Sequence, residues 1–236
     1  MKINLEFDNY AKNYFKEMSH PLRNIISKDG DYFIEAKYNI IKDAFTLIKN
    51  SKDGFVAVDI GTGLGLFEHF FNKENIKIFA LDLSFNMLKI GQLINPLKLK
   101  GLYFQGDALS IPLHENFSDI VFASCVFHHL LEDEIRIVLK EMTRICKQNG
   151  LIIVFEHNPY NIITKFVVKT TKLDRNANLL KPEEIIKMMG VSKLNLIEVK
   201  YFLYGNNKVD AWVEKRIPFA SKFPLGGQFC IIAKKR

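Results

Sequence analysis

Hydrophobic residues in this chain fall into short unbroken runs separated by amphipathic stretches, and the alternation repeats five times. The runs are Phe55–Val58, Ile76–Leu81, Leu102–Gln105, Ile120–Ala123 and Leu151–Phe155. Each has strand length, and apolar character that is continuous rather than alternating marks strands covered on both faces, as in a parallel sheet between helices. Between runs the period changes. Ile135, Val138, Leu139, Met142 and Ile145 share one face of a helix from Glu132 to about Cys146, which Lys147-Gln148-Asn149-Gly150 closes with basic charge and a glycine. Further helices are expected at Leu64–Lys73 and Tyr32–Asn50. Two more strands, Leu196–Leu203 and Gln228–Ala233, are joined by a long excursion. The pattern predicts an α/β, doubly wound, seven-stranded sheet with helices on both faces.

The junction after the first strand carries candidate chemistry. Asp59-Ile60-Gly61-Thr62-Gly63-Leu64-Gly65 places three alternating glycines between an apolar strand and an apolar helix. Glycine permits φ > 0 and lets main chain approach a ligand with no Cβ in the way. A dinucleotide fingerprint G-x-G-x-x-G would put its third glycine at Leu66, whereas here it falls at Gly65. About 20 residues beyond the glycines, the second strand ends in Asp82, placed to accept hydrogen bonds from both ribose hydroxyls of an adenosine. Asp82 can also be read as a helix cap, with Ser84 as its rival. The third strand runs into Gly106-Asp107-Ala108, which taken alone is an ordinary turn.

These segments in this order resemble the class I S-adenosylmethionine-dependent methyltransferases, of the small-molecule, type 11 or UbiE-like kind. The resemblance runs from about Phe55 to the C-terminus. It implies a Rossmann-like sheet, mostly parallel with an antiparallel last strand, and S-adenosyl-L-methionine as cofactor. Its cofactor-binding positions fall here on Asp59, Gly61, Thr62, Gly63, Gly65, Asp82 with the adjacent Leu83, Asp107, Ala108 and Ser124. Phe7-Asp8-Asn9-Tyr10-Ala11-Lys12-Asn13-Tyr14 resembles the family's F-D-x-x-A-x-x-Y lid, which adds Tyr14. Phe15 stands where an Asp is common. A single domain, 1–236, is expected, with a helical lid at 1–50 and a core at 51–236. Acceptor-covering insertions are expected at about 158–190 and 205–225.

Methyl transfer from a sulfonium asks mainly for alignment, and a base is needed only for a protonated acceptor. His128, His129, Glu156 and His157 lie at the predicted carboxyl ends of strands four and five, where open α/β sheets form their ligand crevice. His129 and His157 are the first candidates, because a neutral imidazole takes a proton near pH 7, and Glu156 is the third. The alternative for His129 is a pocket-lining side chain; for Glu156-His157-Asn158-Pro159 it is a strand-ending turn.

Composition narrows the partners. The 236 residues carry a formal charge of +7, with lysines spread along the chain apart from Lys234-Lys235-Arg236. Scattered lysine reads as solvated surface, so a small-molecule acceptor is expected rather than nucleic acid. Asn158-Pro159-Tyr160 lacks the second proline and the position of a base-flipping motif. No apolar stretch approaches the ~20 residues of a membrane span, and Met1–Glu6 has no signal-peptide character, which predicts a cytoplasmic protein. Cys125, Cys146 and Cys230 suggest neither a disulfide framework nor a metal cluster, and no metal is expected. Two other readings stay open, an RNA or protein methyltransferase and a module that binds the cofactor without turnover.

Overall fold

A computed structural model describes residues 7–17, 31–48, 54–71, 76–94, 102–174, 176–190 and 194–236. Met1–Glu6, Lys73, Asn50 and the side chain of Phe15 lie outside the described residues. Seven strands form one sheet: β1 (Phe55–Ile60), β2 (Ile76–Asp82), β3 (Leu102–Gln105), β4 (Ser118–Ser124), β5 (Cys146–His157), β6 (Leu194–Phe202) and β7 (Gln228–Lys235). Their order is β3-β2-β1-β4-β5-β7-β6, and β7 pairs antiparallel with both neighbours while the other pairings are parallel. The expected fold class is borne out, antiparallel last strand included.

The continuous apolar runs are explained by burial on both sides. Val58, Ile60, Val121, Ala123, Ile152 and Val154 face one core with the α4 helix (Glu132–Ile145) and the α6 helix (Pro182–Met189). Ala57, Ile120, Phe122, Leu151, Ile153 and Phe155 face another with the α1 helix (Asp31–Phe45) and the short α2 helix (Glu68–Phe71). Helix α3 (Phe85–Ile94) starts from Ser84, whose Oγ accepts from Met87 N–H at 3.1 Å. Ser84 is therefore the cap, which leaves Asp82 to other work. The remaining helices are α5 (Ile162–Thr170) and α7 (Asn207–Arg216).

Two expected boundaries move. The helix expected at Leu64–Lys73 begins only at Glu68, because the glycine loop continues as a turn through Gly65 (φ +68°), closed by Gly65 N–H on the Thr62 carbonyl at 3.1 Å. Lys147–Gly150 is not a helix end but a bulge at the start of β5, where the pairing jumps from Ser118↔Cys146 to Ile120↔Leu151. The left-handed residue there is Asn149 (φ +64°). Gly150 is needed for close approach, since a Cβ would lie 2.7 Å from the Asp119 carbonyl. The helix from residue 31 ends at Phe45 and not at Asn50.

Candidate functional site

The carboxyl ends of β1, β2 and β3 gather the first group of residues. Gly61, Gly63 and Gly65 all have φ between +59° and +72°, a conformation that costs an L residue about 1–2 kcal/mol. Gly61 and Thr62 N–H both bond the Leu81 carbonyl, at 2.8 and 3.0 Å, pinning the loop to the end of β2. Asp82 lies between loop and helix: Oδ2 accepts from Gly63 N–H at 2.7 Å and Oδ1 from Ser84 N–H at 2.8 Å. The Leu83 N–H also bears on this carboxylate. Burial raises the Asp82 pKa, and the backbone N–H bonds oppose it. Leu83 follows half-buried, its carbonyl accepting from Gln105 Nε2. Asp107 is exposed, with Oδ1 bound to Leu109 N–H at 2.8 Å, and Ala108 is half-buried beside it. Asp59 is buried within β1, beneath the loop.

The N-terminal segment packs beside this group. Residues 7–10 are helical, followed by a 3-10 turn (Ala11–Asn13) and a helical turn (Tyr14–Glu17). Phe7, Ala11 and Tyr14 pack with Leu64, Leu66, Met87 and Ile90, as their i, i+4, i+7 spacing predicts. Asp8 fastens the segment by accepting from the Ser84 hydroxyl and from Asn86 N–H.

The donor set suits S-adenosylmethionine. Ribose needs a carboxylate acceptor, which Asp82 provides; Asp107 and the Ala108 N–H match the adenine edge; and the left-handed glycines present bare backbone between them. A Cβ at Gly61 would lie 2.5 Å from Val126 Cγ2, so loop and β4 end leave no room for a side chain.

The carboxyl ends of β4 and β5 gather the second group. Glu156 is fully buried: Oε1 accepts from Phe127 N–H at 2.7 Å, and Oε2 lies 2.6 Å from His128 Nδ1. With one oxygen on the Phe127 N–H and the other on the ring, Glu156 fixes the orientation of His128. Asp174, from the turn after α5, reaches the same point. His128 Nε2 and His129 Nε2 stand 3.6 and 3.7 Å from Asp174 Oδ1, and His157 Nε2 stands 3.8 Å from Oδ2. The bond from Asn178 N–H to the His128 carbonyl, 2.8 Å, holds that turn against the sheet. His129 also meets the lid, edge-on to Phe7 at a centroid distance of 5.0 Å.

Electrostatics separate the histidines. Burial alone would lower His128, but Glu156 and Asp174 outweigh it and hold its pKa well above the ordinary value. His129 is pushed down to about 3, first by burial and then by His128. Burial would raise Asp174 and Glu156, yet the facing histidines keep both below the usual carboxylate range.

Ser124 and Cys125 complete this end. Lys37, buried on α1, donates to Ser124 Oγ at 2.8 Å and lies 3.4 Å from Cys125 Sγ. Cys125 holds a left-handed φ of +57°. Burial alone would raise its thiol, but Lys37 and His157 bring it down to about 6. Asn158 serves structure, donating its amide to the Pro224 and Gly226 carbonyls, in keeping with its dismissal as a base-flipping motif.

Sequence reasoning missed Asp174, Lys37 and Asp8 as participants. Lys37 left a signal, since it occupies the apolar i, i+4 row between Phe33 and Ile41. Asp174 left none, being one acidic residue in a polar turn.

Residues 58–154 match the sequence model of a family described as Methyltransferase domain. A malonyl-[acyl-carrier protein] O-methyltransferase of Hamiltonella defensa is 27% identical over 96 residues, and a demethylmenaquinone methyltransferase of Bacillus mycoides is 35% identical over 85. These alignments cover 41% and 35% of this chain and 35% of each relative's own length. The solved structure of an S-adenosylmethionine-dependent methyltransferase from Thermotoga maritima, described as a possible histamine N-methyltransferase, superposes with a TM-score of 0.65. It covers 98% of both chains at 18% identity, a likeness of fold.

Proposed function

We propose that this chain, a member of the class I S-adenosylmethionine-dependent methyltransferases by its core match and its fold, transfers a methyl group to a small-molecule acceptor. The observation that carries the reading is Asp82, held by Gly63 N–H and Ser84 N–H beside a left-handed glycine loop, where its carboxylate is placed to accept from a ribose hydroxyl. Asp107 and Ala108 take the adenine edge, and Phe7 and Tyr14 cover the mouth. When bound, S-adenosylmethionine supplies a methyl group on a positively charged sulfur, so that displacement depends on alignment more than on acid–base help.

His129 and His157 are the residues assigned to the acceptor, their side chains 17% and 16% exposed, whereas His128 is sealed behind them. Their ring nitrogens can hydrogen-bond the acceptor and orient its nucleophile, His129 with a basicity that burial reduces. The segments at about 158–190 and 205–225, with α5, α6 and α7, are assigned to covering it. A small-molecule acceptor is supported by the name of the demethylmenaquinone methyltransferase relative.

Calorimetry with the full chain should give one S-adenosylmethionine bound per chain and no competition from a nicotinamide dinucleotide. Label from the methyl group should then appear in a low-molecular-weight fraction of a metabolite extract. Label appearing only in RNA or protein would overturn the acceptor class, and a nicotinamide displacing the ligand would overturn the cofactor.

A further inference from the structure

His128, His157 and Asp174 are the group of side chains, among the described residues, whose donor atoms converge closely enough for a metal ion, all within 4.8 Å of one another. Their geometry is poorly explained by hydrogen bonding. His128 Nδ1 is committed to Glu156 at 2.6 Å, so Nε2 faces the other way, and this atom is buried with no hydrogen-bond partner. It points at Asp174 Oδ1 across 3.6 Å, too far for a hydrogen bond, and His157 Nε2 faces the other carboxylate oxygen across 3.8 Å. A metal ion between these atoms would take the place of the proton that otherwise lets Glu156 and Asp174 hold the His128 ring charged.

The spacing suits an ion. Ligand atoms at 2.0–2.2 Å from a tetrahedral centre lie ~3.4 Å apart; each histidine stands a few tenths of an ångström wider from its own Asp174 oxygen, and the three donors together lie within 4.8 Å, so binding would draw them inward. The Glu156–His128 pair also matches the way a carboxylate fixes the ring of a metal-ligating histidine from behind. Two imidazoles and one carboxylate suit a first-row transition ion better than magnesium or calcium, which favour oxygen.

We propose that His128, His157 and Asp174 form a binding site for one divalent first-row transition metal ion, positioned by Glu156 and open toward the acceptor side of the pocket. His129 stands beside the triad, 3.7 Å from Asp174, and is not a ligand. The ion's role toward the acceptor, to hold and polarise an oxygen of it, rests on the methyl-transfer reading; the ion site does not.

The full chain, stripped with chelator and dialysed, should take up one equivalent of Co²⁺ or Zn²⁺ in calorimetry, with d–d absorption bands for cobalt. Asp174→Asn and His157→Gln should each lower ion affinity at least about tenfold, and Glu156→Gln about 10–100-fold, as loss of a supporting carboxylate does. His129→Gln should change it little. S-adenosylmethionine affinity, measured on the same samples, reports that each variant is folded. Absence of ion uptake by a chain that binds S-adenosylmethionine overturns the site, as does uptake undiminished in both ligand variants. Ion uptake without any S-adenosylmethionine binding would leave the site standing and overturn the methyl-transfer reading instead.

Discussion

The two ends of the pocket are built by different means. At the carboxyl ends of β1 to β3 the work is done largely by backbone: left-handed glycines, a carboxylate bridging two N–H groups, and a turn carrying Asp107. At the ends of β4 and β5 it is done by buried side chains, in which Glu156, three histidines, Lys37, Cys125 and Asp174 come from four separate stretches of chain. A backbone site can be shared by many chains that bind one cofactor. A side-chain site is where chains of this fold can differ, and function resides in such grafted sites more than in the fold.

The sharpest way to break this contrast is at the centre of the side-chain end. Glu156→Ala leaves the Phe127 N–H and His128 Nδ1 without their acceptor inside the core, and should cost about 3–5 kcal/mol of stability in denaturant unfolding. A loss below about 1 kcal/mol would mean that the cluster is not an interdependent unit. Gly61→Ala tests the backbone end: a left-handed residue with its Cβ 2.5 Å from Val126 should cost about 2–4 kcal/mol. Double substitution with Val126→Ala should recover the steric part, and no recovery would show that the loop's conformation alone sets the cost.

Asp82→Asn should separate binding from stability. S-adenosylmethionine affinity should fall by roughly 1.5–3 kcal/mol, the worth of a charged hydrogen bond, and calorimetry showing no change would remove Asp82 from the site. Because burial raises its folded pKa above the unfolded value, the ionised carboxylate costs stability, a cost that appears as pH rises from the unfolded toward the folded pKa. Stability of the Asn variant relative to the parent should therefore improve across that rise in pH, and a parallel pH dependence in both proteins would contradict the burial cost.

The smallest effect is expected outside both ends. Glu141 on α4 accepts from Ile111 N–H at 2.9 Å and pairs with Arg144, which donates to the Ile111 and Leu113 carbonyls. Glu141→Gln should cost about 0.5–1.5 kcal/mol without touching cofactor affinity, since the group is near the surface. Its pKa is lowered, first by Arg144, so the contribution is present above the unfolded pKa and fades as pH falls toward the folded value. Urea titrations at neutral and acid pH would read that fading, and a constant difference would refute it.

The sequence by itself determined the order of elements, the parallel sheet and the glycine-loop end. Burial on both faces writes itself as unbroken apolar runs, and the glycines and Asp82 lie within about 20 residues of one another along the chain. It misjudged boundaries where a single backbone angle decides, as at Gly65 and Asn149. Only the tertiary structure decided the histidine end. Asp174 is one polar turn residue until the Asn178 bond to the His128 carbonyl brings that turn against the sheet. Lys37 is an odd lysine on an apolar helix face until α1 packs beside β4. Local backbone preference acts over a few residues and can be read along the chain, whereas a constellation of side chains exists only after distant segments have packed.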